Sequence, residues 1–338
     1  MNVPRGGLAY LVAFAALIAA GAAAALISWG DDPDEASAPM GSSNLVCDVV
    51  AKPGGSVDDF VAALAPQQTA CLRDGVHRSE DDIAISARGV TLSSYPGERA
   101  TLEGRLWIRE GGDAVTIENL TLNGRNTRGL PSPTVNGDAV RFRGNDVTND
   151  HTAICFVLGD DDYGDAVGTV IERNRIHDCG RLPATNHDHG IYVAHADRTV
   201  IRGNWIYSNA DRGVQLYPDA DGSVITGNVI DGNGQGILFS GEDGEVSEDN
   251  LVEDNVITNS NLRFNVESFW PDGREGTGNL VRSNCVFGGA RSLESGGVQS
   301  PAIGFEAIDN VHADPLFVDR EAADLRLAED SRCPDLIR

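Results

Sequence analysis

The sequence pattern of a strand, a turn and a second strand occurs three times between residues 168 and 239. This repeat constrains the fold more than any other feature of the chain. A Val- or Ile-rich strand followed by Asn and another apolar residue occurs at 168–176, 197–206 and 223–230. Runs of this composition bounded by Gly, Asn and Asp are typical of β-strands. A shorter phrase that opens with Gly follows each copy, at Gly190–Val193, Gly213–Leu216 and Gly236–Phe239.

The Asn of each repeat belongs to a longer series of asparagines, which are separated by 26, 29, 30, 24, 27 and 29 residues. Two positions after each Asn the residue is apolar and β-branched in six of the seven copies, Thr121 being the exception. Short strands at such a period predict a solenoid, in which each repeat buries its apolar side chains against its neighbours. The series comprises Asn119, Asn145, Asn174, Asn204, Asn228, Asn255 and Asn284.

The stretch from about Val115 to Val318 resembles the right-handed parallel β-helix of pectate-lyase-like proteins. That group includes polysaccharide lyases, C5-epimerases of polyuronates and some glycosidases. The Asn column resembles the internal asparagine ladder of this fold, in which each side chain bonds the backbone of the next turn. We therefore expect an all-β, right-handed parallel β-helix in which the Asn column is structural.

The first 43 residues predict export. An uncharged apolar run, Leu8–Ile27, follows Arg5 and precedes an acidic segment, so the bulk of the chain is expected outside the cytoplasm. Residues 1–30 fit either a cleaved signal peptide or a signal-anchor helix that tethers the protein to the membrane. Residues 31–43, rich in Asp, Ser, Pro and Gly, are expected to form a flexible linker.

Residues 44–338 are expected to form one β-helix domain. Residues 44–80 provide an N-terminal cap with a short helix, because Ser56 is a good N-cap and apolar residues from Val57 to Leu64 share one side. Residues 314–338 resemble the closing segment of many β-helix carbohydrate-active proteins. We expect no catalytic role for this tail.

The six cysteines predict disulfides, because their number is even and no Cys-x-x-Cys spacing is present. Two of them are 24 residues apart, close to one repeat, so a bridge between adjacent rungs is reasonable. The other four fit one bridge at each end of the domain. The expected pairs are Cys47 with Cys71, Cys155 with Cys179, and Cys285 with Cys333.

The charge of the chain narrows the choice of partner. A formal net charge of −25 disfavours nucleic acid and makes a polyanionic glycan dependent on a local group of arginines or a bound cation. The loop that contains Asp160, Asp162 and Asp165 could hold Ca²⁺, although a solvated loop explains it as well. No other cofactor is expected.

One turn of the repeat is enlarged, and the candidate catalytic residues lie there. The turn before Gly190 contains His187, Asp188 and His189, whereas the following rungs close within a few residues. Aligning the glycines places His189, Arg212 and Gln235 in one column. Adjacent rungs are about 4.8 Å apart, so His189 and Arg212 would both reach one bound sugar.

The outward side chains around this column form the expected substrate-binding face. Strand alternation turns Tyr192 outward next to Gln215, and a second outward stack is expected from His195, Asp219 and Glu242. Aromatic residues would supply flat surfaces for sugar rings, although Trp205 and Tyr207 could equally be packing in a turn. The other predicted contacts are Tyr217, Arg263, Glu267 and Trp270.

The favoured chemistry is removal of a proton next to a uronate carboxylate, as in a lyase or a C5-epimerase. His189 or His187 would be the base, Asp188 would orient the imidazole, and Arg212 would neutralise the carboxylate. This arrangement is similar to the His and Arg groups of polyuronate lyases and epimerases, but the Asp-Pro-His motif of bacterial alginate epimerases is missing. Because Lys52 is the only lysine, subfamilies with a Lys base do not apply.

Two other functions remain open. A glycoside hydrolase would need paired carboxylates, which Asp219 could form with Glu242 or Glu267. A non-catalytic glycan-binding or envelope scaffold protein would use the same face without turnover, and the His-rich turn would then be an ordinary polar loop. Zinc held by both histidines and Asp188 is disfavoured, because alternate residues of a strand point in opposite directions.

Overall fold

The strands wind into a right-handed parallel β-solenoid with three faces. The computed structural model describes residues 45–333, and nearly every strand in that range pairs in parallel with the equivalent strand of the next rung. Each rung passes through sheet A, sheet B and sheet C in that order. Sheet A contains eleven strands: Val49–Ala51, Thr69–Leu72, Thr91–Ser94, Thr116–Glu118, Arg141–Arg143, Val170–Glu172, Val200–Arg202, Val224–Thr226, Leu251–Glu253, Leu280–Arg282 and Glu306–Ile308.

The other two faces are ten and eight strands wide. Sheet B consists of Gly75–Arg78, Ala100–Glu103, Thr121–Asn123, Asp146–Thr148, Arg175–His177, Trp205–Tyr207, Val229–Asp231, Val256–Thr258, Cys285–Phe287 and Val311–His312. Sheet C consists of Ile83–Ile85, Leu106–Ile108, Thr134–Val135, Phe156–Leu158, Ile191–His195, Arg212–Asp219, Gln235–Ser240 and Val266–Phe269. One 3₁₀ turn, Leu293–Ser295, lies near the last rungs.

The core consists of inward side chains that stack in register along the solenoid. Ile171, Ile201 and Ile225 occupy the same position on successive strands of sheet A, and all three are fully buried. Where a wider space must be filled, Phe142 and Phe156 meet edge to face with their centroids 4.9 Å apart. Burying these apolar surfaces is the main driving force for stacking the rungs.

The asparagine ladder occupies the turn between sheet A and sheet B. The Asn204 amide oxygen accepts hydrogen bonds from the backbone N–H of Asn174 at 2.8 Å and from its side chain at 3.0 Å. The Asn204 side chain in turn donates to the Ile171 carbonyl at 2.8 Å. The same pattern repeats from Asn145 to Asn310, so the turn satisfies backbone groups that would otherwise be buried without partners.

The placement of Asn119 in the ladder is wrong by one residue. Leu120 occupies the ladder position, because its backbone N–H donates to the Asn145 side chain at 3.0 Å. Asn119 instead has a φ of 55°, a left-handed conformation that Asn tolerates. This shift places Leu122, rather than Thr121, opposite Val147 and explains the polar exception in the sequence pattern.

A short helix, Val57–Ala62, lies at the N-terminal end of the solenoid. Its N-cap is Ser56, whose hydroxyl accepts a hydrogen bond from the Asp59 backbone N–H at 3.2 Å. Val57 and Val61 are buried in the same cluster as the inward residues of the first rungs. The predicted signal or anchor at residues 1–30 and the linker at 31–43 lie outside the described residues. Within residues 45–333, no helix combines the length and apolar character needed to cross a membrane.

All three predicted disulfides are confirmed: Cys47–Cys71, Cys155–Cys179 and Cys285–Cys333. Cys155–Cys179 joins adjacent rungs and ties down the start of the enlarged turn. Structural disulfides of this kind are typical of proteins that fold outside the reducing cytosol.

The tail folds back over part of sheet B. Its two strands, Phe317–Asp319 and Asp324–Leu327, form an antiparallel hairpin. Leu325 packs against Tyr207 and Val229, with Trp205 beside them. Trp205 and Tyr207 therefore lie on a strand and pack beneath the tail, rather than in a turn.

A charged imidazole lies next to this covered region. The His177 ring is held between Asp178, at 2.8 Å from Nδ1, and Asp146, at 3.1 Å from Nε2, and it stacks on Tyr207. Burial alone would lower the pKa of His177, but the hydrogen bonds to both carboxylates outweigh it and raise the pKa to about 9. The ring is therefore protonated at neutral pH.

Replacing one ladder residue should destabilise the whole solenoid. Asn204→Ala removes the acceptor for the buried Asn174 N–H and the donor to Ile171, so we expect a loss of about 2–4 kcal/mol in the free energy of unfolding. Denaturant unfolding of the oxidised protein measures it. Asn261→Ala, an exposed Asn that bonds the Gly232 carbonyl, is the control and should cost less than about 0.5 kcal/mol. Equal effects of the two variants would contradict a structural ladder.

Stability should fall on the alkaline side because of His177. Its folded pKa of about 9 lies above the unfolded value of 6.5, so its contribution is complete below pH 6.5 and is lost as the pH rises through 9. Denaturation between pH 6 and pH 10 should therefore show a steeper decline for the unmodified protein than for His177→Gln. Parallel curves would show that the two carboxylates do not stabilise the cation.

Candidate functional site

The enlarged turn and the outer face of sheet C meet at one place. Arg212 and Gln235 are paired residues on adjacent strands, and the Gly190 backbone N–H donates to the Arg212 carbonyl at 2.9 Å. This register places His189, Arg212 and Gln235 on successive rungs, as the glycine alignment predicts. The predicted pairing of Tyr192 with Gln215 is also confirmed.

His189 is a buried, neutral imidazole. Only 2% of the surface of His189 is exposed, and its Nδ1 has no hydrogen-bond partner among residues 45–333. Burial, with a further contribution from the positive charge of Arg212, lowers the pKa of His189 well below its usual value. Its ring edge lies against Tyr192, with centroids 5.7 Å apart. The imidazole can therefore accept a proton, but Tyr192 lies against it.

The Arg212 guanidinium is held rigidly by neutral acceptors. It donates to the carbonyl and side-chain oxygens of Asn186 at 2.8 and 2.7 Å, to Gln215 at 3.1 Å and to Gln235 at 3.2 Å. These contacts use four of its five N–H donors and leave one on Nη2. Burial lowers the pKa of Arg212 to about 10, so the group remains a cation at neutral pH.

The prediction that Asp188 orients an imidazole is wrong. Its carboxylate accepts two hydrogen bonds from the Arg181 guanidinium, at 2.6 and 2.9 Å, and a third from Thr185 at 3.3 Å. Asp188 therefore stabilises the enlarged turn, because these partners lie within the turn itself. Asp211 adds a second anchor by accepting from the backbone N–H groups of His187 and Asp188, both at 2.9 Å.

A small cavity of about 170 Å³ opens beside Arg212. Asn186 and Thr185 of the enlarged turn line one side, and Arg263 lies on the other. The Arg263 guanidinium pairs with Glu267, which also accepts from Gln235 at 2.9 Å. Two arginines thus border one cavity, while the Glu267 carboxylate is already occupied by Arg263 and Gln235.

Two tyrosines form an aromatic step on the outer face of sheet C. The rings of Tyr192 and Tyr217 are 6.2 Å apart and nearly parallel, at 19°. Burial raises the pKa of Tyr192 to about 12, so its hydroxyl is protonated at neutral pH. The Tyr217 hydroxyl donates to Glu242. An aromatic surface beside polar groups suits a sugar ring.

The predicted stack of His195, Asp219 and Glu242 holds for two members. His195 and Asp219 are paired in register, but the third group is Glu245, because Glu242 turns toward Tyr217. The donor atoms of His195, Asp219 and Glu245 lie within 4.8 Å of one another, a set that could hold a divalent cation. Burial and nearby carboxylates raise the pKa of Asp219.

The remaining predicted residues lie apart from the aromatic step and from the donor set of His195, Asp219 and Glu245. Asp160, Asp162 and Asp165 are outside the cluster formed by His195, and the Asp160 side chain instead accepts from the Asp162 backbone N–H at 2.9 Å. Trp270 is not part of the aromatic step, because its indole packs against the core and donates to the Ile303 carbonyl at 3.0 Å. Two residues of the site carry no repeat signal in the sequence: Asn186, which holds Arg212, and Glu245, which lies in an irregular turn.

Comparison with known families decides the classification. The family model described as right handed beta helix region matches residues 106–285, more than half of the chain. The chain belongs to the right-handed β-helix family. No curated protein matches this β-helix protein at a significant level.

Solved structures resemble this β-helix protein at low sequence identity. A pectate lyase, Pel9A, is 12% identical, with 88% of this chain and 93% of that chain covered and a TM-score of 0.51. The Dettilon tailspike protein is 13% identical, covers 79% of this chain and 60% of its own, and has a TM-score of 0.48. The A-module of an Azotobacter vinelandii mannuronan C-5 epimerase is 17% identical, with coverages of 77% and 93% and a TM-score of 0.32. At these identities the likeness concerns the fold alone.

The imidazole of His189 should remain neutral in mildly acidic solution. An ordinary histidine is mostly protonated at pH 5.5, whereas burial and Arg212 keep the pKa of His189 lower. The ¹⁵N chemical shifts of the ring nitrogens should therefore stay those of a neutral imidazole at this pH. Arg212→Gln should raise the pKa without restoring the ordinary value, since burial is the larger cause. A protonated ring in the unmodified protein at pH 5.5 would contradict the assignment.

Proposed function

We propose that this β-helix protein binds an acidic polysaccharide along the outer face of sheet C. It would remove the proton next to a uronate carboxylate, as a lyase or a C5-epimerase does. The observation that carries the proposal is a neutral buried imidazole, His189, one rung from Arg212, which borders a cavity together with Arg263. The fold shared with a pectate lyase is consistent with this choice but does not establish it.

The arginines would bind the sugar carboxylate. Arg212 retains one N–H on Nη2, and Arg263 uses Nε and Nη2 for Glu267, which leaves its Nη1 donors for a ligand. A carboxylate held by these groups loses much of its negative charge, so the adjacent C–H becomes more acidic. The arginines would also stabilise the enediolate that forms when that proton leaves.

His189 would accept the proton. A neutral imidazole is the reactive form of a histidine base, and its low pKa keeps it neutral at physiological pH. Because His189 is 2% exposed, the proposal requires the Tyr192 ring to move aside when the sugar binds. Such side-chain movement on ligand binding is common.

The two reactions would then differ in the second proton transfer. In a lyase, the electrons of the broken C–H bond form a carbon–carbon double bond as the C4–O bond breaks, and the leaving oxygen takes a proton. The neutral Tyr192 phenol would supply that proton. In an epimerase, a proton returns to the same carbon from the opposite face and no bond of the polymer breaks.

The location would be outside the cytoplasm, where the three disulfides persist. Whether the chain is secreted or tethered depends on residues 1–30, so tethering stays a prediction.

The Glu267 carboxylate accepts hydrogen bonds from Arg263 and Gln235, which weakens its assignment as the acid of a glycoside hydrolase.

Substitution of His189 and Arg212 should abolish turnover and preserve the fold. His189→Gln and Arg212→Gln are expected to lower kcat by about 10²–10⁴-fold on a uronate polymer, since each removes a group from the proton-transfer step. Ultraviolet absorbance of the unsaturated product reports elimination, deuterium uptake from solvent at C5 reports epimerisation, and new reducing ends report hydrolysis. Circular dichroism checks the fold of each variant.

The control is Arg282→Gln, which removes one positive charge from sheet A, where Arg282 pairs with Glu253. It should retain full activity. Hydrolysis that survives in His189→Gln would replace the proposal with a glycosidase. Absence of all three activities from the unmodified protein, on pectate, mannuronan and neutral glycans, would favour a non-catalytic glycan-binding protein.

A further inference from the structure

The row of outward side chains on sheet C continues well beyond the tyrosine step. Register pairs connect Tyr192 to Val157, Val157 to Thr134, and Thr134 to Trp107. Three rungs separate Trp107 from Tyr192, a distance of about 14 Å. Thr134 is only 8% exposed and Val157 is half-buried, so both short side chains lie low in the strip between the two aromatic groups.

Trp107 is the centre of a cationic cluster at the far end of this strip. The guanidinium groups of Arg105 and Arg109 each lie 4.5 Å from its ring centroid. Tyr163 meets the indole edge to face at 5.4 Å, and the indole N–H donates to Asn136 at 2.8 Å. Contact with an aromatic ring restrains an arginine side chain without using up its hydrogen-bond donors.

The three arginines of this region differ in their partners. Arg105 pairs with Asp82 at 3.1 Å, and Arg128 pairs with the same carboxylate. Across residues 45–333, no carboxylate lies within 4.0 Å of the Arg109 guanidinium. Arg109 is therefore a positioned cation whose N–H donors are available to a ligand.

The cluster lies in acidic surroundings. Asp82, Glu110 and the four aspartates of the loop at residues 160–165 lie beside the three arginines, and the chain as a whole has a net charge of −25. Arg109, which pairs with none of these carboxylates, is therefore the group of this cluster that can attract an anion.

The loop at residues 160–165 connects the two ends of the strip. Tyr163 contacts Trp107, the Gly164 carbonyl accepts from the Asn136 side chain at 2.7 Å, and Asp161 lies 3.2 Å from His195. The loop thus runs beside Thr134 and Val157 and borders the strip between Trp107 and Tyr192. A single extended ligand could contact both of them.

We propose that Trp107 and Arg109 form a second glycan subsite, three rungs from Tyr192, which binds the carboxylate of another uronate residue of the same polymer. Arg109 would donate to the carboxylate, and Trp107 would hold the guanidinium in place. This inference rests on the proposed function, since it assumes that an acidic polymer lies along sheet C. It implies that chain length, in addition to sugar type, determines affinity.

Affinity for long and short uronate oligomers tests this subsite. Isothermal titration calorimetry compares the unmodified protein, Arg109→Gln and the charge-matched control Arg282→Gln, using a disaccharide and a long oligomer of pectate and of mannuronan. Arg109→Gln should raise the Kd of the long oligomer about tenfold, because one charge-assisted hydrogen bond is lost. It should leave the disaccharide Kd and the kcat unchanged. The control should alter neither affinity.

The subsite is wrong if Arg109→Gln leaves the Kd of the long oligomer unchanged, or if it weakens both ligands equally. It is also wrong if the unmodified protein binds neither probe. Failure of the proposed catalysis gives a different result, because length-dependent binding without turnover would retain the subsite and remove the lyase or epimerase assignment. Normal turnover with no effect of Arg109→Gln would retain the lyase or epimerase assignment and remove the subsite.

Discussion

The structure depends on a side chain that replaces missing backbone hydrogen bonds at a tight turn. Parallel strands pair their main chains within each sheet, but the turn from sheet A to sheet B leaves backbone N–H groups buried. The column from Asn145 to Asn310 supplies the acceptors, each amide bonding the next rung. Because every Asn serves two rungs, the ladder fixes both the geometry of the turn and the spacing between rungs.

This constraint explains why the enlarged turn can occur where it does. Asparagines also secure the corner between sheet B and sheet C, where the Asn209 side chain accepts from the Cys179 backbone N–H at 3.0 Å and donates to the Ile176 carbonyl at 3.2 Å. Extra residues can therefore follow Cys179 without moving the strands. The insertion before His189 is still held at its base, by the Cys155–Cys179 disulfide, and internally, by the pairing of Arg181 with Asp188. Catalytic candidates thus lie on an irregular loop attached to a regular frame.

The repeat predicted the fold because its period and polarity reflect the stacking directly. Register is equally accessible, since aligned glycines correctly place Arg212 beside Gln235 and Tyr192 beside Gln215. Side-chain partners within turns are not, because they depend on torsion angles without a repeat. Asp188 pairs with Arg181 rather than with a histidine, and Glu245 takes the place expected for Glu242. The one-residue error at Asn119 has another origin, because Asn119 occupies the left-handed position that Gly144 and Arg173 occupy on the next rungs, directly before the ladder residue.

The three outer faces of the solenoid are occupied in different ways. On sheet A, arginine and glutamate alternate between rungs, as where Glu172 accepts from Arg141 at 2.8 Å and from Arg202 at 2.9 Å. The tail covers part of sheet B through Leu325. The outward row of sheet C has neither the charge ladder nor the tail at Thr134 and Val157.

Substitutions along that row change no inward side chain and no ladder bond. A lineage could therefore exchange side chains there, one rung at a time, and acquire a preference for a different polymer while the frame kept its stability. The separation of frame from surface makes the β-helix a scaffold on which specificity can drift at little structural cost.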